Sequence, residues 1–149
     1  MAIVLSIVMV SVLPRFRARW QRFQEERAAF TVAQSLRAAR SLAVTYSRPM
    51  AWVFESESRR MWIGEEQDDG SAQPVSGSLG APHRLPEAVT LQALRDREAV
   101  DRIAFLPDGT AQPTTLVIGD DSTHPDYQIA VDAATGHVTV TSSLLPASS

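Results

Sequence analysis

The chain has 149 residues, no cysteine, no lysine, and a formal net charge of −3 from fourteen arginines and seventeen acids. That length suits one domain with an appendage, and the missing cysteine excludes both a disulfide framework and thiolate chemistry. The charge is unevenly spread. Residues 15–48 hold eight Arg and two Glu, a balance of +6, and residues 49–149 hold six Arg and fifteen acids, a balance of −9. An acidic C-terminal part argues against a nucleic-acid surface there, because phosphate binding needs clustered cations.

Met1 to Leu13 is an apolar run broken only by Ser6 and Ser11, and Pro14 ends it. Ile3, Val4, Leu5, Ile7, Val8, Val10, Val12, Leu13 and Pro14 form a candidate membrane or filament segment. A spanning helix needs about 20 apolar residues, so the run is short. It reads in three ways: the second half of a membrane helix that begins upstream of Met1, a signal-peptide core, or a buried core helix. No cation precedes it and no small-x-small cleavage site follows it before Pro14, and a run that starts at residue 1 favours the first reading. Pro14 removes one helical hydrogen bond and predicts a kink, tolerable where neighbours satisfy the freed carbonyl of Val10.

The helical pattern then continues through Arg15, Arg17, Arg19 and Arg22 to Pro49, a rod of roughly 70 Å at about 1.5 Å per residue. A domain of this size cannot bury such a rod, so one end must be covered by lipid or by neighbouring subunits. Further along, Val32, Leu36, Ala39, Ala43 and Tyr46 recur at helical steps, one apolar face. They predict the row that seats the helix on the rest of the chain, with Gln34, Arg37 and Arg40 away from it. The expected organisation is therefore 1–30, an apolar segment and protruding stem, and 31–149, a globular head that includes the docked half of the helix.

From Pro49 the pattern becomes that of strands. Residues 50–55 and 60–65 predict a hairpin around Glu57-Ser58-Arg59. Residues 67–82 are rich in Gly, Ser, Pro and Asp and predict a long exposed loop. Residues 89–91, 102–106, 114–118, 127–131 and 137–141 complete the expected strands. Pro107-Asp108-Gly109 and Asp132–Gly136 have turn chemistry. Short turns imply antiparallel pairing. The fold class is α+β: a long N-terminal helix packed on an antiparallel β-sheet or β-sandwich head.

No catalytic constellation stands out, and no cofactor is expected. His83, His124 and His137 are scattered outside any ligand motif. Asp120, Asp121 and Asp126 cluster around Gly119, but their spacing fits no EF-hand loop and an ordinary acidic turn accounts for them. The sequence has no nucleophile elbow.

The order of features resembles the type IV pilin-like proteins, and more closely the minor pseudopilins of the GspH/FimT type. SIVMVSVLPRF (6–16) looks like the second half of the family's apolar helix, and AQSLRAARSLAVTYSRPMAWVFE (33–55) like its stem-to-first-strand signature. IAFLPDGT (103–110) and IAVDAATGHVTV (129–140) look like its closing strands and turns. The family's basic leader, processing site and Phe-Thr-Leu-x-Glu opening have no counterpart, and Leu42 stands where the stem signature often has an acid. The resemblance implies a structural, non-enzymatic subunit of a type II secretion system. It would sit in the bacterial inner membrane by a single pass, with its head in the periplasm, and join a pseudopilus filament. Its implied partners are other minor and major pseudopilins and components of the secretion machinery. Arg15 to Arg22 would then lie on the periplasmic side, against the positive-inside tendency. The alternative is a FimT-like minor pilin of a type IV pilus, acting in pilus assembly or DNA uptake.

Overall fold

The computed structural model describes residues 2–119 and 126–142, with side chains from Trp20 onward. One helix, α1 (Ala2–Tyr46), runs across Pro14 without interruption. The side chains of the expected membrane segment, Ile3 to Pro14, lie outside the described ones. Among the described residues, no helix is long and apolar enough to cross a membrane.

The helix stops where its chemistry says it should. Ser47 takes φ 53° and the Arg48 amide donates to the Ala43 carbonyl at 3.2 Å, which is the closure of a Schellman turn. Pro49 prevents continuation. The chain then enters β1 (Met50–Glu55), which pairs antiparallel with β2 (Arg60–Glu66) in a register that sets Met50 opposite Glu65 and Val53 opposite Trp62. Strands β3 (Ala72–Pro74) and β4 (His83–Arg84) both pair with the outer edge of β2. Next come β5 (Leu91–Arg95), β6 (Glu98–Val100), β7 (Arg102–Phe105), β8 (Thr114–Ile118), β9 (Tyr127–Val131) and β10 (Val138–Ser142). They form two antiparallel sheets. One has the order β3-β2-β1-β7 with β4 also on β2, and the other has the order β10-β9-β8-β5-β6.

Both sheets pack on α1 and share one core, built on Leu36, Trp52, Ile63, Ile103, Phe105, Leu116, Ile118 and Ile129. The second sheet alternates as a half-buried sheet must: Ile129, Val131 and Val138 face inward, while Gln128, Ala130 and Thr139 face solvent. By contrast, β1 is buried along Met50 to Phe54, on both of its faces. Met50, Trp52 and Phe54 join the core. On the other face Val53 stands opposite Trp62, whose ring lies so close over Gly64 that a Cβ there would sit 2.6 Å from it.

Three expectations need correction. The 67–82 segment is not structureless: β3 zips Ala72, Gln73 and Pro74 onto β2, and Gly80 is buried against the Val75 backbone. Edge pairing uses backbone groups, so a polar stretch can join a sheet without burying side chains. The strand expected at 89–91 starts instead at Leu91, because the Val89 amide is used in a turn with the Pro86 carbonyl. It runs on to Arg95 and doubles back into β6 through Asp96 and Arg97, both at positive φ (53° and 70°). That is the two-residue hairpin geometry usually filled by Asn-Gly, so nothing in the residue types announced it. Finally, Tyr46 is 62 % exposed. The chain turns away at Ser47, and the ring lines an open cleft with Met50, Glu65 and Pro74 instead of entering the core.

Candidate functional site: the seat of the stem on the head

The helix is fixed to the head by a row of small side chains. Ala28, Ala29, Val32, Ala33, Leu36, Ala39 and Ala43 are all at most 4 % exposed, over about 23 Å of helix. Of the expected seating row, the structure therefore places Val32, Leu36, Ala39 and Ala43 in the core and leaves Tyr46 out. Ala28, Ala29 and Ala33 belong to the same row and were not anticipated. The signal was available, since alanine at adjacent helical turns lets a sheet approach closely. Burial of apolar surface, at about 25 cal/mol per Å², holds the joint, and β1, β2, β7, β9 and β10 all touch the helix.

Polar side chains then set its register. The Trp52 indole donates Nε1–H to Ser35 Oγ at 2.8 Å, so the largest core side chain is tied to the stem. Arg37 donates to the Val138 carbonyl at 3.1 Å and Arg40 to the Thr135 carbonyl at 2.8 Å. These two arginines, read from sequence as lying away from the row, flank it and reach round onto the β9–β10 turn. Long side chains bury their stems while the charged heads find oxygen.

Arg40 is also where three separated stretches of sequence meet. Gly109 (φ 88°) and Gly136 (φ 67°) sit at the tips of the two Asp-containing turns. A Cβ on Gly136 would meet the Gly109 carbonyl, and would lie 2.9 Å from Arg40 Cδ. A Cβ on Gly109 would lie 3.4 Å from Arg40 Nη2. The Ala111 amide donates to the Ala133 carbonyl at 3.0 Å and joins the two turns directly. Each turn is closed by its aspartate. Asp108 Oδ1 accepts from the Thr110 hydroxyl and amide at 2.6 and 3.0 Å. Asp132 Oδ1 accepts from the amides of Ala134 and Thr135 and from the Thr135 hydroxyl, at 2.9 to 3.1 Å. Hydrogen bonds to the ionised form hold both carboxyls below the usual carboxylate range, those from Thr110 leading for Asp108 and those from Thr135 for Asp132.

Lower on the stem, Glu25 is buried at 1 % exposure and receives the Gln21 side-chain amide at 3.4 Å. Nearby, Tyr127 at the start of β9 is pushed above the ordinary phenol range, first by burial and then by the Glu26 and Glu25 carboxylates. At the far end of the head Arg95 bridges the sheets. Its Nη2 donates to the Arg102 carbonyl, Gln112 Oε1 and Thr114 Oγ1 at 3.0, 2.9 and 3.3 Å. Asp120, Asp121 and His124 lie outside the described residues. Among the described residues no three metal-binding side chains come together. This arrangement can hold a long rod rigidly against a head and pass force between them.

The comparisons agree with that architecture. A family model described as the type II transport protein GspH matches residues 28–136. The minor pseudopilin EpsH from the type 2 secretion system of Vibrio cholerae superposes with a TM-score of 0.66 at 17 % identity, covering 82 % of this chain and 99 % of that one. A second structure of EpsH gives 0.65 at 16 %, covering 81 % and 95 %. The type IV minor pilin FimU of Pseudomonas aeruginosa gives 0.64 at 20 %, covering 85 % and 96 %. At these identities the likeness speaks for the fold. A comparison with curated protein sequences finds no match.

Proposed function

Because the chain belongs to the GspH family of type II transport proteins, we propose that it works as a minor pseudopilin of a type II secretion system. In this reading it is a structural subunit of the periplasmic pseudopilus that drives folded proteins through the outer membrane. Its partners are other minor and major pseudopilins. Before assembly its N-terminal apolar segment holds it in the inner membrane with the head in the periplasm. The observation that carries this is the seat of the stem. A filament subunit must move its head whenever its stem moves, and here the helix is buried over about 23 Å and clamped at Arg37 and Arg40. An axial load on the rod is thus shared by both sheets.

A minor pilin of a type IV pilus is the second reading, and the FimU-like fold favours it. The family match and the acidic head weigh the other way, since a surface of net negative charge repels DNA phosphate. Deletion of the gene separates the two. The expected result is that proteins exported by type II secretion accumulate in the periplasm while pilus-dependent motility and DNA uptake continue. The opposite pattern overturns the assignment.

A further inference from the structure

A half-open cleft of about 290 Å³ lies where the lower stem meets the head. Trp20, Phe23 and Arg27 form its stem wall, and His83, Arg84 and Leu85 form its head wall. The head wall is held in place by the fold itself. Strand β4 is paired to β2 through His83 and Arg84, the Leu85 amide donates to the Arg59 carbonyl at 2.8 Å, and the Leu85 side chain is buried. The Arg59 guanidinium then collects the carbonyls of Pro86, Glu87 and Val89. On the stem wall, the Arg27 guanidinium stands 5.8 Å from the Phe23 ring centre, folded toward the N-terminal end as helical side chains are. The Trp20 and Phe23 rings lie 6.1 Å apart. Among the described residues no acid lines the cleft, although residues 49–149 carry a balance of −9. Glu25 and Glu26 lie round the helix from it, toward Tyr127. Arg27 makes no ion pair among the described residues, and Arg84 has only Glu87, at 3.8 Å with both side chains largely exposed. An exposed pair of that length is worth little.

Resting on the membrane seating of the functional reading above, we propose that this cleft holds one anionic phospholipid of the membrane in which the stem is anchored. Its phosphate sits between Arg27 and Arg84, and its glycerol and first acyl carbons lie against Trp20 and Phe23. Charge and place together choose this occupant. Two guanidiniums around a space without carboxylates fit a phosphodiester, whose oxygens accept from planar N–H forks. Rings that continue down the helix toward the apolar segment fit the lipid beneath that phosphate. Tryptophan favours the headgroup level of a bilayer. With Trp20 at that level, Phe23 stands about 4.5 Å further out. The Arg27 guanidinium beside its ring then lies at the outer side of a headgroup layer ~5–7 Å thick. Free phosphate would use the two arginines and leave the rings without a role. Anionic lipid also gives Arg15 to Arg22, which the positive-inside tendency disfavours on this side, their counter-charge.

The test uses the full chain, first in vesicles and then in nanodiscs with one chain per disc. A membrane-inserted chain should resist extraction from the vesicles at alkaline pH. Native mass spectrometry of the chain released from discs of equal phosphatidylcholine and phosphatidylglycerol should show one retained phosphatidylglycerol, favoured at least ~10-fold over phosphatidylcholine. Arg27→Ala and Arg84→Ala should each lower that retention at least ~5-fold, whereas Phe30→Ser, outside the cleft, leaves it unchanged. Because the chain has no native cysteine, Gln24→Cys in the cleft reports cover directly. Its maleimide labelling should be slower in phosphatidylglycerol discs than in phosphatidylcholine discs, while Glu57→Cys on the head labels alike in both. Retention without preference for the anionic lipid, or retention indifferent to both arginines, overturns the proposal. So does displacement of the lipid by millimolar inorganic phosphate, which assigns the cleft to the free ion. Protection of Gln24→Cys only when another pilin-like subunit shares the disc assigns it to a protein and equally overturns the proposal. If the chain resists alkaline extraction and the lipid results fail, the cleft is misread and the membrane seating stands. If alkaline conditions release the chain, the seating fails and the proposal with it.

Discussion

Two faces of one helix are both apolar, and they differ in size. The seated face presents alanine at Ala28, Ala29, Ala33, Ala39 and Ala43, with Val32 and Leu36 between them, and all are buried. The opposite face presents Trp20, Phe23 and Phe30, each about half exposed. An alanine row lets two elements approach closely within one chain, where the fold fixes the fit. The larger rings of Trp20 and Phe23 instead line a half-open cleft with His83 to Pro86 of the head. Apolar periodicity identifies a face, whereas side-chain volume tells how closely the rest of the chain can approach it.

The comparison is broken most severely at Leu36. Leu36→Asp buries an unpaired charge, with an expected cost of more than ~4 kcal/mol. Thermal denaturation of the detergent-solubilised full chain should show no cooperative unfolding, and an unchanged midpoint would mean that the wrong face has been placed inward. Gly136→Ala comes next. A Cβ there collides with the Gly109 carbonyl at a positive φ, for an expected loss of about 1–3 kcal/mol. Arg40→Ala removes the bond to Thr135 and the packing on both glycine turns. It should cost about 1–2 kcal/mol, read as a lowered urea midpoint with unchanged m.

A smaller effect depends on pH. The Asp132 carboxyl is held below its ordinary value in the folded chain, by hydrogen bonds from Thr135 first. A depressed folded pKa contributes stability that is present above the unfolded value, near 3.8, and lost as pH falls through the folded value. Asp132→Ala should therefore narrow its stability gap to the parent as the pH falls below about 4. A gap that widens between pH 4 and pH 2 would contradict the assignment. Smallest of all is Phe30→Ser, which removes a ring from the open face. Its effect on unfolding should stay within ~0.5 kcal/mol, in contrast to Leu36→Asp only six residues away.

Much of this architecture was legible in the residues themselves. The helix follows from the unbroken 3.6-residue spacing between Pro14 and Pro49, and its seating from Val32, Leu36, Ala39 and Ala43. The β9–β10 hairpin follows from alternation around an Asp–Gly turn, and the family resemblance from the three signature stretches. These features are local, written in residue types a few positions apart. Strand β3 was hidden because edge pairing is a backbone affair that leaves polar side chains in water. Strand β6 was hidden because its turn uses Asp96 and Arg97 where glycine is usual, a local preference overridden by the pairing of β5 with β8.

The tertiary structure alone decided where the seated row ends and what the charged residues flanking it do. Tyr46 has the periodicity of a core residue, but the chain leaves the helix one residue later and the ring is left at an open cleft, mostly exposed. Arg37 and Arg40 look like solvated cations until the turns at Asp108 and Asp132, some seventy and ninety residues downstream, fold back onto the stem. Sequence spacing determines which residues share a face, because that is fixed by the rise and twist of the backbone. What each face meets depends on distant segments brought together in space, and only the folded chain settles that.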